Sequence, residues 1–431
     1  VEIPQEKGYC SVSDPPAAET LKPANMRKTS TALKLLFSLL SLAVALGAME
    51  GILRYRDPRS LRLKRGRKPV TFRRAHPVYG HGLRPGAAGE SSNYGEYRVP
   101  YKINSLGLRD REFAREIPPG TVRILMTGDS FTEGFGVKLE SAFVKILERR
   151  LNASPARPGA RYETVNMGVA SFSPLLEYLF LKETLGRIEG NFLILNLDAS
   201  DFSDDNFYER GARWGPGGEP LAVSHGDLLP NYLTYGRHFL ETLPAAPWRN
   251  SRALRYLVWH FIRRVHGGWV QSRLGHIEYD RYGWTRSGRD GRKPRDAWEA
   301  QLGRSFGYIL RIRELLKKKG VGFALALYPH GHQVHPQAWC AGRKRAYYEC
   351  GKVYGTSLFE ETMALCRKSG LTCWDLTPDF RRPDADSLFY KVDEHFNAKG
   401  NAVMAGALER RLRPLLAAMT PQGGAPQGKT R

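Results

Sequence analysis

The chain alternates between short runs rich in apolar residues and longer stretches with helical spacing. Five runs read as strands: 122–127, 162–167, 192–197, 321–328 and 371–376. Each is too short for a typical helix and lacks a clean polar face, as a strand covered on both sides should. Between them, apolar residues three and four apart predict helices over 141–151, 174–185, 299–319, 355–368 and 398–416. Pro174 suits a first helical turn, where a missing N–H costs nothing. Strands alternating with helices predict an α/β fold with a parallel sheet. Ligands bind such sheets outside the carboxyl ends of the strands, where the strand order reverses. Chemistry is therefore expected just after strands. The alternation stops over 203–298, which reads as a large insertion rich in Gly, Arg, Trp and Tyr, with one helical stretch at 253–265. Residues 75–120 read as a lead-in of loops and short strands, and 420–431 as a disordered tail.

The N-terminal pattern differs in kind. Residues 35–49 carry no charge, with Lys34 before them and Glu50 after. Fifteen residues are short for a bilayer, but adding Gly51, Ile52 and Leu53 approaches the ~20 that a spanning helix needs. The segment 31–53 is read as a transmembrane signal anchor, preceded by a disordered leader over 1–30 in which Met26 is a natural start. Two alternatives stay open. One is a cleaved signal peptide, since Ala43-Val44-Ala45 offers a small-x-small site. The other is a buried core helix, which fits poorly with the basic residues that follow.

Composition then changes the picture. Apolar residues make up 42% of the 431-residue chain, enough for a sizeable core. Lys and Arg total 66 against 43 acids, a net +23. Ten of those basic residues lie between Arg54 and Arg74, beside the single acid Asp57. No recognition helix, zinc knuckle or aromatic RNA-binding signature accompanies them, so nucleic acid is not an expected partner. The strip reads as a juxtamembrane feature drawn to anionic headgroups. The main domain is expected in the periplasm or extracytoplasmic space, on a single-pass anchor in the inner (cytoplasmic) membrane. The positive-inside rule argues against that topology, because more basic residues follow the segment than precede it. The cysteines argue for it. Cys340, Cys350, Cys366 and Cys373 form two short-spaced pairs that suit an oxidising compartment. Their three possible connectivities stay open, as do four unpaired buried thiols.

Two features carry candidate chemistry. Gly128-Asp129-Ser130 closes the first strand, which places a Ser where an α/β sheet binds ligands. Asp393-Glu394-His395-Phe396-Asn397, with Gly400, precedes the last helix. Asp and His two apart in extended chain project to one side. A nucleophilic Ser needs a base, and the base needs an acceptor on its other ring nitrogen. Alone, each feature also reads as a capped turn. Together, with Gly168 after the second strand, they resemble the SGNH/GDSL hydrolase superfamily over roughly 100–416. Gly107-Leu108-Arg109-Asp110 and the N-terminal anchor look like its membrane-anchored bacterial members. The resemblance implies a flavodoxin-like three-layer α/β/α sandwich, the catalytic domain spanning 121–419. It implies catalysis by Ser130, His395 and Asp393, with an oxyanion hole from Ser130, Gly168 and Ser200. One block departs: Ser200 stands where the family has an oxyanion Asn, and Asn206 is near enough in sequence to substitute.

The expected function is a serine-dependent esterase acting on an acylated envelope glycan or lipid. Alternatives are a glycan O-acetyltransferase served by a membrane-bound acyl donor, or a catalytically impaired binding protein. No cofactor or metal is expected. His330, His332 and His335 follow the fourth strand, but no acidic or cysteine partner has zinc-ligand spacing. They read as a rim loop of the site.

Overall fold

The computed structural model describes residues 31–56, 72–93, 95–223, 251, 253, 256–257, 294–343 and 350–419. The leader, the tail, most of the basic strip and most of the predicted insertion, including nearly all of 253–265, lie outside the described residues. The chain divides into two compact units: Val1–Leu63 with Pro244–Trp259, and Lys64–Leu243 with His260–Arg431.

In the first unit, α1 (Thr31–Arg56) extends the uncharged run at both ends. Its apolar span, Leu33–Tyr55, is 23 residues and by length and composition can cross a bilayer. At 1.5 Å per residue that is roughly 35 Å. Glu50 near its end accepts from Ser251 Oγ at 2.9 Å and the Ala253 amide at 2.7 Å.

The second unit opens with two antiparallel hairpins: β1 (Arg73–His76) with β2 (Gly80–Leu83), and β3 (Ala88–Asn93) with β4 (Tyr97–Lys102). Next come β5 (Thr121–Gly128), the one-turn helix α2 (Ser130–Glu133), α3 (Phe143–Ala153), β6 (Arg161–Asn166), α4 (Pro174–Thr184) and β7 (Phe192–Leu197). Then follow α5 (Ala199–Glu209), the hairpin β8 (Ala212–Trp214) with β9 (Pro220–Val223), α6 (Pro294–Lys317) and β10 (Gly322–Leu327). The chain finishes with α7 (Ser357–Ser369), β11 (Cys373–Asp375) and α8 (Ala398–Ala418).

Five strands form one parallel sheet in the order β11-β10-β7-β5-β6. Counted in chain order from β5, this is the flavodoxin-like 2-1-3-4-5, with its reversal between β5 and β7. The period-2 pleat sorts each strand between two cores. Leu125, Leu193, Leu195 and Leu327 join the α4–α6–α7 side, whereas Ile124, Met126, Ile194 and Ala326 join the α3–α8 side. Helices on both faces make the three layers. The five strands and their intervening helices fall where the hydrophobic pattern places them, within a few residues.

The expected break at 203 comes later. The fold continues through α5 and the β8–β9 hairpin to Val223. The reason is chemical: α5 buries Asp201 and Asp205 beside Phe202 and Tyr208, so its inner face looks polar in sequence. The cysteines bond to their sequence neighbours, Cys340–Cys350 and Cys366–Cys373, which settles the open connectivity.

Candidate active site

Ser130 follows β5 directly as the first residue of α2. The turn into that helix requires Gly128, at φ +151, because a Cβ there would strike Thr132 Oγ1 and lie 2.6 Å from the Asn196 carbonyl oxygen. Asp129 caps α2, its Oδ1 accepting from the Phe131 amide at 2.9 Å and from the Tyr328 hydroxyl at 2.7 Å. Burial, and then the charge of Asp198, push Asp129 up to about 6.

The last loop before α8 brings the other two residues in. A bridge between Phe389 and Phe396 closes it, and Asn397 caps α8 by accepting from the Lys399 and Gly400 amides. His395 Nε2 lies 2.7 Å from Ser130 Oγ, and His395 Nδ1 is hydrogen-bonded to Asp393 Oδ1. The imidazole lies between the Phe131 and Phe135 rings, at centroid distances of 4.6 and 5.0 Å. Burial alone would lower the His395 pKa, but the Asp393 carboxylate beside it overrides burial and raises it to about 9. Burial likewise opposes ionisation of Asp393, yet the charge and hydrogen bonds of His395 hold it down at about 2. The sequence-predicted Ser130, His395 and Asp393 are thus brought into one hydrogen-bonded line.

The oxyanion candidates fare differently. The Ser130 amide has no acceptor among the described residues. Gly168 packs against the Thr132–Glu133 backbone, and its amide donates to Asn166 Oδ1 at 3.0 Å. Ser200 is the second residue of α5, just after β7 as expected, but its amide and hydroxyl both donate to Asp198 Oδ1, at 2.6 and 2.7 Å. Both donors are therefore engaged within the protein. Asn206 lies further along α5, where its Oδ1 accepts from Arg304 at 2.9 Å.

The three histidines do not form one rim. His330 is buried, with Nε2 2.8 Å from Asp198 Oδ2 and its ring edge-on to Phe131 at 5.4 Å. Burial would lower its pKa, but Asp198 raises it to about 9. His332 is buried against Trp339 and Tyr354, and His335 is half-exposed.

Sequence reasoning missed two sets of supporting residues. Arg109 is buried over the Tyr101 ring and donates to the carbonyls of Glu133, Gly134 and Val137, which holds the end of α2. Its neighbour Asp110 accepts from the Asn166 amide at 2.8 Å and pairs with Lys145 at 2.7 Å. The β3–β4 hairpin reaches the acid of the line itself. Asn93 Nδ2 and Tyr97 Oη both donate to Asp393 Oδ2, the latter at 3.0 Å. The motif spelling around Arg109 is a signal that could have found the first set. Nothing local marks the second.

A family model described as "SGNH hydrolase-like domain, acetyltransferase AlgX" matches residues 284–428. No curated protein matches the chain. Similar solved structures include a lipolytic protein of the G-D-S-L family from Desulfitobacterium hafniense DCB-2. It is 12% identical over 67% of this chain and 98% of its own, with a TM-score of 0.33. A lipase/acylhydrolase from Enterococcus faecalis is 11% identical over 70% of this chain and 100% of its own, with a TM-score of 0.34. The esterase EstA from Pseudoalteromonas sp. is 10% identical over 68% of this chain and 98% of its own, with a TM-score of 0.33. The family model matches the segment that carries Asp393 and His395, and the strand order, with a Ser at the end of the first sheet strand, fits an SGNH-like fold.

Proposed function

We propose that this protein is a serine-dependent acyl esterase or acyltransferase that works outside the cytoplasm on an acylated envelope glycan or lipid. One observation carries the reading: Ser130, His395 and Asp393 stand in hydrogen-bonded line at the reversal point of the sheet. In this reading Ser130 Oγ attacks the acyl carbonyl while His395 Nε2 takes its proton. The tetrahedral oxyanion rests on the Ser130 amide. Collapse breaks the ester bond, and the leaving alcohol takes the proton from His395. The acyl-serine is then attacked by a hydroxyl that His395 deprotonates, and Ser130 regains its proton. Asp393 orients the imidazole and stabilises its charged form.

That second hydroxyl belongs to water in a hydrolase and to a sugar in a transferase. The acetyltransferase description of the matching family model favours transfer as a second reading. The engaged Gly168 and Ser200 donors bear on both readings equally. Losing one oxyanion donor lowers turnover by about a hundredfold or more, for water and for a sugar hydroxyl alike. Placement outside the cytoplasm is supported by the bilayer-length α1 and by two disulfides. Detergent-solubilised full-length protein should be labelled by a fluorophosphonate probe, and the label should vanish in Ser130→Ala and in His395→Ala. Folded wild-type protein that resists the probe would remove the enzymatic reading and leave a binding protein. A periplasm-active reporter fused to the C-terminus, if silent, would overturn the placement.

A further inference from the structure

The Asp393 carboxylate is buried and receives four donors, split evenly between its two oxygens. Oδ1 takes the His395 ring N–H and the His395 amide, the latter at 3.1 Å. Oδ2 takes Asn93 Nδ2 and Tyr97 Oη. Those last two come from a hairpin some 300 residues away in sequence, outside both the strand–helix alternation and the region matched by the family model. The same hairpin holds the backbone that carries the acid. Glu96, in its turn, accepts from the amides of Lys391, Val392 and Asp393 at 2.7, 3.0 and 2.8 Å. Tyr97 also packs on Tyr390 at 5.0 Å and edge-on to Phe135, the ring that covers His395.

We propose that the β3–β4 hairpin is the positioning element of the acid–base pair: Asn93 and Tyr97 lock Asp393 Oδ2 so that Oδ1 faces His395 Nδ1, and Glu96 clamps the loop. This rests on the catalytic reading of Ser130 and His395 above. The physical case is rotational. A carboxylate held at one oxygen turns about its last bond with little resistance, because that torsion is broad. Two donors on the second oxygen remove the freedom, and they also favour the ionised form. Tyr97 suits the task because burial, and then the Asp393 charge, push its phenol well above the ordinary value. It therefore remains a donor at any working pH. Supports of this kind commonly matter by ten- to a hundredfold when they orient a reacting imidazole, by analogy with the shell around metal-bound histidines.

The ionisable groups bearing on the pair are few. Asp393, Glu394 and Asp129 act on His395, and Tyr97, Tyr390 and Glu96 lie around Asp393. If Asp393 turns away, the His395 imidazolium loses its main partner and its pKa falls. The acid limb of the pH–rate profile then moves to lower pH while kcat drops. A purely structural role would instead lower the fraction of active molecules and leave the limb in place.

The test uses full-length protein with a short-chain aryl ester, with active sites counted by fluorophosphonate labelling. Tyr97→Phe keeps the ring packing and removes one donor. Asn93→Ala removes the other, and Glu96→Gln loosens the clamp. Expected for Tyr97→Phe and Asn93→Ala is a roughly tenfold fall in kcat per labelled site, little change in KM, and an acid limb shifted toward lower pH. Unchanged kcat and an unmoved limb in both variants, beside an active wild type, would overturn the positioning role and leave the catalytic reading intact. An unlabelled wild type would sink both together. Should Asn93→Ala fail to fold, Tyr97→Phe decides alone.

Discussion

His395 Nε2 stands 2.7 Å from Ser130 Oγ although 265 residues separate the two in sequence. The contact depends on β5 delivering Ser130 at its carboxyl end and on α8 anchoring the loop that carries His395. Asn401 on α8 ties these together by accepting from the Phe143 amide of α3 at 2.9 Å. The pair is thus held by packing of the α3–α8 layer rather than by local chain geometry.

Removal of either member should abolish most turnover. Ser130→Ala and His395→Ala are each expected to lower kcat for an aryl acetate by roughly a thousandfold or more. The double variant should be no worse than the single ones, because the two act as one unit. Steady-state rates on the three variants check this. A further loss in the double variant would show that the residues act separately.

The pH dependence has a definite sign. In the proposed reaction His395 is a base only when neutral, and its pKa is raised to about 9 by Asp393. The value of kcat/KM should therefore climb with pH and level off only above about 9. Asp393→Asn removes the charge that raises it, so the limb should move down toward the ordinary imidazole range near 6.5, with a much lower plateau. Profiles between pH 6 and 10.5 on both proteins read this out.

Gly168 is set by space rather than by backbone freedom. A Cβ there would collide with the Glu133 amide nitrogen and lie 2.8 Å from Thr132 Cβ, both in the helix that begins with Ser130. Gly168→Ala should destabilise the fold by about 2 kcal/mol or more through overpacking. It should also reduce labelling of Ser130 in the protein that remains folded. Denaturant titration together with probe labelling separates the two effects.

Arg109 should behave as a structural bolt. Its guanidinium serves three carbonyls at the end of α2, and a Lys cannot span them. Arg109→Lys is expected to cost about 3 kcal/mol, since buried carbonyls left unpaired lose about 1–3 kcal/mol each. An unfolding midpoint equal to wild type would show that the neighbouring backbone re-pairs them.

Much of this site lies in plain view in the sequence because its key signals are local. A strand ending in Gly128 marks the turn that exposes Ser130. Asp393 and His395 sit two apart before a capped helix. Apolar periodicity places five strands, since residues one or two apart decide which face is buried. The α5 helix escaped because Asp201 and Asp205 are buried on its inner face, and acids read as solvent-facing. The β3–β4 hairpin was legible as short strands, but not as part of the site.

The sequence by itself determined the strand–helix order, the residues at the strand ends and an N-terminal apolar segment. These depend on spacing over a few residues, where backbone geometry leaves little choice. Only the tertiary structure decided which groups meet: Ser130 with His395, Asp393 with Asn93 and Tyr97, and Asp198 with His330. It also decided that the Gly168 amide and the Ser200 hydroxyl are already engaged. The physical reason is that such pairings depend on sheet order and register, which bring distant segments together, and that each N–H or O–H donor serves mainly one acceptor.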